Sequence, residues 1–251
     1  MTDVEGPESP PRYESLRTRH RIEEGVDKGI TSRQGLIAQG RGEAFDYLLG
    51  ERTIPSAREA ERVAAAHLLL AEHPVLSING NVAALCPGEL VELAEASGAK
   101  LEVNLFNRTP ERMQAIVDHL REHGAEAVLG LTADGRIPGL DHERAKVDAE
   151  GIGKADVVLV PLEDGDRAEA LAAMGKTELV VDLNPMSRSA QSATVPIVDN
   201  IVRAVPNVTE SVRELRGASR EELEAIVENF DREEALADAE RAIRGGADGD
   251  D

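Results

Sequence analysis

Five short polar clusters interrupt an otherwise apolar rhythm in this chain: Asn79-Gly80-Asn81, Asn104 to Arg108, Glu163 to Arg167, Asp182 to Ser189, and Asp199-Asn200. Amides, carboxylates, hydroxyls and guanidiniums in such clusters are a donor set able to grip a phosphorylated ligand, although the same residue types also form ordinary turns and caps. Each cluster follows a short apolar run. In an open parallel sheet the crevice beyond the carboxyl ends of the strands is where ligands bind, so recurrence there favours a site. Asn79-Gly80-Asn81 leads towards a helix, whose first N–H groups and positive dipole end can cradle a phosphate. It lacks the three glycines of the dinucleotide fingerprint, and Asn104 stands where a ribose-binding acid is expected. It also lacks the Gly-Lys-Ser/Thr ending of a phosphate loop.

Arg41 lies between Gly40 and Gly42 in the run from Gly35 to Tyr47. Flanking glycines cost helix stability and admit close approach of backbone or ligand. A guanidinium there can meet a phosphate bidentately, or pair with Glu43 or Asp46. The run Asp182-Leu183-Asn184-Pro185-Met186-Ser187-Arg188-Ser189 combines an acid, an amide, an arginine and hydroxyls. Such a set can hold a ribose and a triphosphate with Mg²⁺, which takes one or two carboxylates plus phosphate oxygens. Glu163 to Asp166 offers a second acidic metal site, with helix capping the simpler account of Asp166. Arg19 has no local feature that sets it apart from any helix-surface arginine.

The elements that must position these residues follow from periodicity. The pattern from Tyr13 to about Leu49 is helical with a break at Gly29, and Ser56 to Ala71 continues it, with Pro55 suited to a first turn. Six apolar runs read as strands: Val75–Ile78, Leu101–Asn104, Ala127–Leu129, Asp156–Val160, Glu178–Val181 and Thr194–Val198. Between them lie helical stretches: one carrying Leu90, Leu93 and Ala94, one opened by Thr109-Pro110, one from Asp166 to Gly175 with Glu169 at capping-box spacing, and one from Asn200. Strands alternating with helices imply right-handed crossovers and an α/β fold, a Rossmann-like parallel sheet with helices on both faces. The expected organisation is a flexible segment 1–11 and a single domain 12–217, with a helical part 12–72 and an α/β core 73–217. An acidic helical extension with a disordered end follows over 218–251. There Ser219 and Glu222 form a capping box, and Leu223, Ile226, Val227 and Phe230 make one apolar stripe expected to pack on the parent domain or a second subunit.

Acidic residues number 48 against 28 basic ones, for a formal net charge of −20. Nucleic acid and anionic membranes are poor partners for such a surface. Its self-repulsion is relieved when concentrated salt shortens the screening length to a few ångströms, which points to a salt-loving (halophilic), archaeal source. Cys86 is the only cysteine, so there is no internal disulfide and no cysteine metal cluster. No apolar run approaches the roughly 20 residues that span a bilayer, and the amino-terminal segment is acidic and Pro-rich, so a cytoplasmic location is expected.

The segments GLIAQGRGEAFDYLLGE, SINGNVAAL, EVNLFNRT, RIPGL, KADVVLVPLEDGDRAEAL and VDLNPMSRSAQSATVPIVDNIVRAVPN, in that order, resemble the archaeal phosphopantothenate synthetase (4-phosphopantoate–beta-alanine ligase) family of coenzyme A biosynthesis. The resemblance spans about Pro11 to Leu215 and leaves out the acidic tail. It implies a homodimer with a Rossmann-like core that joins 4-phosphopantoate to beta-alanine while converting ATP, with Mg²⁺, to AMP and diphosphate. It places nucleotide contacts on Arg19, Arg41, Asp182, Leu183, Asn184, Arg188, Ser189, Asp199 and Asn200, with Arg41 and Arg188 carrying the charge stabilisation. It assigns no protein-held metal site. Gln39 stands where a histidine is expected in many relatives, so no proton-carrying role is implied there. The competing readings are an NAD(P)-dependent Rossmann oxidoreductase, disfavoured by the missing glycine fingerprint, and a non-catalytic nucleotide-binding regulator. Whatever the activity, the charge balance predicts that the thermal unfolding midpoint rises as KCl is raised from about 0.1 M to molar concentrations. A midpoint unmoved by salt in a calorimetric scan would contradict the charge reading.

Overall fold

In a computed structural model of the chain, residues 12–161 and 165–246 are described; the expectations for 1–11, for the end of the tail and for Glu163 and Asp164 lie outside them. The helical part is α1 (Tyr13–Asp27), α2 (Arg33–Leu49) and α3 (Pro55–Leu70), broken at the expected Gly29 and opened at Pro55. The core continues with β1 (Pro74–Ile78), α4 (Gly80–Leu85), α5 (Pro87–Ser97), β2 (Lys100–Val103), α6 (Pro110–Glu122) and β3 (Val128–Leu129). A short hairpin, β4 (Gly135–Arg136) and β5 (Lys146–Val147), leads into a wide helical turn at Ala149–Gly153. Then come β6 (Val157–Pro161), α7 (Gly165–Ala173), β7 (Thr177–Val181), α8 (Arg188–Ser192), β8 (Val195–Ile197), α9 (Ile201–Leu215), α10 (Arg220–Glu228) and α11 (Arg232–Gly245).

The six sheet strands stand in the order β3-β2-β1-β6-β7-β8 and every pair is parallel, so the fold is the expected Rossmann-like α/β arrangement. The order in which strands are added reverses between β1 and β6, which are paired with Leu76 opposite Leu159. Alternation along the strands feeds two cores. Leu76, Ile78, Leu159, Leu179 and Val181 face a layer that includes α3, α5, α6 and α9, while Val75, Val158, Val160 and Val180 face Ile137, Val147, Ile152 and Leu171. The second face is therefore covered partly by α7 and partly by the hairpin excursion.

That excursion was not expected from the sequence. Its strands are two residues long, too short to carry a period. It is pinned by Glu102, whose buried carboxylate in β2 accepts the Asp148 N–H at 3.0 Å and the Ile152 N–H at 2.6 Å. Burial pushes this carboxyl up to about 7, against those two hydrogen bonds. The tail is a second difference. In place of one helix over Ser219–Gly246 there are two, because Asp231 accepts from the backbone of Glu233 and Glu234 at 3.0 Å and so starts a new helix. The Ser219–Glu222 capping box is present, and Leu223, Ile226, Val227 and Phe230 pack on the parent domain. In α7, Asp166 and Glu169 both pair with Arg188, so the capping-box spacing serves an ion pair instead.

A buried polar network joins α2, α3 and α9. Arg203 donates to Asp46 at 2.7 Å and to Asp199 at 2.6 Å, while Thr53 donates to the other Asp199 oxygen at 2.6 Å. Asn207 links Thr53 at 3.0 Å to the fully buried Glu61 at 3.1 Å. Burial is the main force raising the Glu61 carboxyl from 4.5 to about 8, and Asp199 adds to it. A folded-state pKa raised in this way contributes stability that is complete below about pH 4.5 and lost as pH rises through about 8. Glu61→Gln keeps an acceptor for Asn207 and removes the titration. Relative to wild type it is expected to gain stability at up to about 1.4 kcal/mol per pH unit over that window. Urea unfolding of both proteins across the window checks this; a stability difference that does not change with pH would contradict it.

Candidate active site

Because all six strands run in parallel, the polar clusters at their carboxyl ends share one edge. Asn79 sits where the strand order reverses. Its amide donates to the Pro161 carbonyl at 3.0 Å and its side-chain oxygen accepts from Val82 at 3.1 Å, so it ties β1 to β6 and caps α4. The next residues fasten α2 across this edge: Asn81 donates to the Gly35 carbonyl at 2.9 Å, and Thr31 to the Gly80 carbonyl at 3.0 Å. Further along, α2 rests on the ends of β7 and β8. A Cβ at Gly42 would stand 3.3 Å from the Asn200 amide nitrogen and 3.8 Å from Leu183 Cδ1. Asn200 in turn donates to Asp46 at 2.9 Å.

This placement puts Arg41 in a cleft of about 340 Å³ with Asn79, Asn81, Phe106, Arg112 and Arg144 among its lining. Among the described residues three arginines and no carboxylate line it, in a chain with 48 acidic residues. The alternative pairing of Arg41 with Glu43 or Asp46 is not what the structure contains, since Glu43 is engaged by Arg12 and Arg19 and Asp46 by Arg203 and Asn200. A cluster of guanidiniums in a negative molecule focuses anionic ligands there.

The other expected site residues are distributed as follows. Arg188 lines an adjoining hollow of about 250 Å³ with Phe106, His142, Gly165 and Asp166, and Phe106 borders both spaces. Its guanidinium pairs with Asp166 at 2.6 Å and Glu169 at 2.9 Å, and these acids hold its pKa above the ordinary value. Asp182 uses its carboxylate within its own loop, accepting from the Ser187 hydroxyl at 2.6 Å and the Asn184 N–H at 3.1 Å. Leu183 is half-buried against α2, Asn184 is exposed, and Ser189 is buried at the start of α8. Asp199 is buried against Arg203 and Thr53, with its pKa raised by that burial. Arg19 stays apart: it pairs with Glu43 on the outer side of α2 and does not line the cleft. Gln39 is buried in α2.

Sequence reasoning passed over Arg112, Arg144 and Arg203, and offered Asp46 only as a partner for Arg41. Arg112 had a usable signal, since it falls in the first turn of a helix that follows a polar strand end. Asp46 and Arg203 are 157 residues apart, and no local pattern joins them.

Comparison with known proteins agrees with this architecture. Residues 56–246 match the family model described as phosphopantothenate/pantothenate synthetase. The chain is 59% identical over 239 residues to a protein of Thermococcus kodakarensis named 4-phosphopantoate–beta-alanine ligase, covering 95% of this chain and 92% of that one. A protein of the same name from Methanosarcina mazei is 52% identical over 239 residues, covering 95% and 93%. One from Methanospirillum hungatei is 54% identical over 209 residues, covering 83% and 85%. A match of this extent over the strands, the cleft and the tail makes the chain a member of the phosphopantothenate/pantothenate synthetase family.

Proposed function

We propose that the protein is an ATP-dependent carbon–nitrogen ligase that joins 4-phosphopantoate to beta-alanine, giving 4′-phosphopantothenate, AMP and diphosphate in coenzyme A biosynthesis. The observation that carries this reading is the cleft at the carboxyl ends of β1 and β2, lined among the described residues by three arginines and no acid. ATP and a phosphorylated acid are both polyanions, and a reaction between them requires cations that hold them together without a competing carboxylate.

A carboxylate is a poor electrophile. In the proposed course its oxygen attacks the α-phosphorus of ATP and the bond to diphosphate breaks, leaving an acyl adenylate. The amine of beta-alanine then attacks the acyl carbon, AMP departs with the former carboxylate oxygen, and the nitrogen loses a proton as the amide forms. Neither step requires a protein nucleophile; both require stabilisation of charge on phosphate oxygens. Arg41 is assigned that role, with Arg188 joining it by exchanging Asp166 and Glu169 for phosphate. The turn Asp182–Asn184 and Ser189 are assigned to the nucleotide. Asp199 and Asn200 support it through the network that seats α2, and Arg19 rests on family pattern alone.

Among the described residues no three His, Cys, Asp or Glu side chains converge as a metal site. The donor set fits a Mg²⁺ carried on the triphosphate, with Asp166 or Asp182 as the single protein carboxylate. Such an ion supplies neutralisation of phosphate charge. Two further assignments belong to the same reading. A homodimer is supported by the apolar outer side of α2, where Ile37 is 77%, Tyr47 51% and Leu48 46% exposed. A cytoplasmic, salt-rich setting is supported by the charge balance, and no described helix is long and apolar enough to cross a membrane.

Release of AMP in molar salt, with each substrate omitted in turn, tests the activity: it should require ATP, 4-phosphopantoate and beta-alanine for turnover. Arg41→Ala is expected to lower kcat by about 100-fold or more, the scale of a lost transition-state donor. Turnover equal to wild type at saturating ATP would remove Arg41 from the mechanism.

A further inference from the structure

We infer that the site has two parts, and that the cleft built by α2, the β1–α4 turn and the β2–α6 loop is the subsite for the phosphate monoester of the acid substrate, with Arg112 as its specificity-determining residue. The inference rests on the ligase reading and adds what that reading does not contain, an assignment of residues to the second anion.

The topology makes the division. Of the positions that family pattern gives to the nucleotide, Asp182, Leu183, Asn184, Arg188, Ser189, Asp199 and Asn200 follow β7 and β8, on one side of the point where the strand order reverses, while Arg19 and Arg41 come from α1 and α2. Asn79, Asn81, Asn107 and Arg112 follow β1 and β2 on the other side, and they line the same cleft as Arg41. Arg41, reaching over this edge from α2, stands between the two sets. A reaction that brings a carboxylate to an α-phosphate has to seat its two substrates on either side of such a boundary, with the acid's own phosphate directed away from the nucleotide.

Arg112 has the properties of a phosphate receptor. Its Nε donates to the Ile30 carbonyl at 2.9 Å and one terminal nitrogen donates to the Asn107 carbonyl at 3.1 Å. The guanidinium plane is thus fixed before any ligand arrives, which lowers the ordering cost of binding. The remaining terminal nitrogen lies against Gly80, where a Cβ would overlap it; glycine there is what lets the guanidinium enter the cleft. Two neutral carbonyls orient the charge without neutralising it, and among the described residues no carboxylate pairs with Arg112. Half-buried and uncompensated, the group has its pKa pushed below the usual arginine value by burial. An anion in the cleft relieves that cost. A phosphate dianion presents the fork-matching oxygens that a guanidinium binds bidentately, and an unphosphorylated acid leaves the charge unmet.

The test is steady-state release of AMP by wild type, Arg112→Ala and Arg112→Lys, with 4-phosphopantoate, unphosphorylated pantoate and ATP varied separately. Arg112→Ala is expected to raise the KM for 4-phosphopantoate about 10- to 100-fold, the worth of a charged hydrogen bond, while the KM for ATP stays within about threefold. The preference of the enzyme for 4-phosphopantoate over pantoate should fall by the same factor, a change that a loosened loop alone would not produce. Arg112→Lys keeps the charge but not the fork and should recover part of the preference. Should the alanine variant fail to fold, the lysine variant carries the same comparison. A KM for ATP that rises as much as that for 4-phosphopantoate, or an unchanged preference for the phosphorylated acid, overturns the assignment. Wild type that releases no AMP with all three substrates would sink the ligase reading itself, an outcome separate from either.

Discussion

The arrangement of this molecule depends on one constraint: a helix from outside the sheet, α2, is held across the carboxyl ends of the strands by bonds at both of its ends. Near its start the Asn81 amide holds the Gly35 carbonyl, and near its finish Asp46 is held by Arg203 and Asn200. Arg41 lies between these two attachments and is placed by them. The second attachment is costly in isolation, because it buries two carboxylates and most of the Arg203 side chain. Such a set is tolerated only when the charges are mutually bonded, and its directional geometry fixes the register of α2 in a way that apolar packing alone does not. The tail adds to the same end: Leu236 and Ala239 of α11 pack with Phe45 and Leu49 of α2 and with Val198 just after β8.

The second theme is electrostatic. A chain with a net charge of −20 repels every substrate of the proposed reaction except the zwitterionic beta-alanine. The molecule meets this by segregation. Glu43 and Asp46, the acids nearest Arg41 along α2, are committed to other arginines, and among the described residues the cleft lining contains no carboxylate. Lysine is nearly absent from the site, and guanidiniums, held by carbonyls or acids, supply its positive charge. The adjoining hollow is different in kind, since Arg188 there is already neutralised by Asp166 and Glu169. Its guanidinium is exposed, so exchanging those partners for phosphate involves little desolvation.

Much of this was legible in the residues. Apolar runs such as Asp156–Val160 announced buried parallel strands, and the caps at Thr109, Asn200 and Ser219 fixed where helices begin. Residue type and position single out Asn79-Gly80-Asn81 and Arg41, and the structure brings them to one cleft. The illegible parts have a common physical origin, in that they are made by contacts remote in sequence. Glu102 lies in a strand with no local sign that it anchors the turn at Asp148 and Ile152. Gly42, flanking Arg41, proved to be a point of helix packing against Asn200, whereas a Cβ at Gly40 would meet nothing within 4 Å. The break between α10 and α11 shows the opposite case, a local cap at Asp231 that the apolar stripe obscured.

The central claim is that phosphate oxygens are gripped by the guanidiniums of the cleft beneath α2. A crystal structure of the protein with 4-phosphopantoate and an ATP analogue that cannot release diphosphate tests it most directly. The account predicts phosphate oxygens within hydrogen-bond distance of Arg41 and Arg112, with the acid's carboxylate facing the α-phosphate across the β1–β6 boundary. Ligands seated instead in the mixed-charge groove lined by Arg21, Lys28, Glu89 and His119, with the arginine cleft empty, would contradict it.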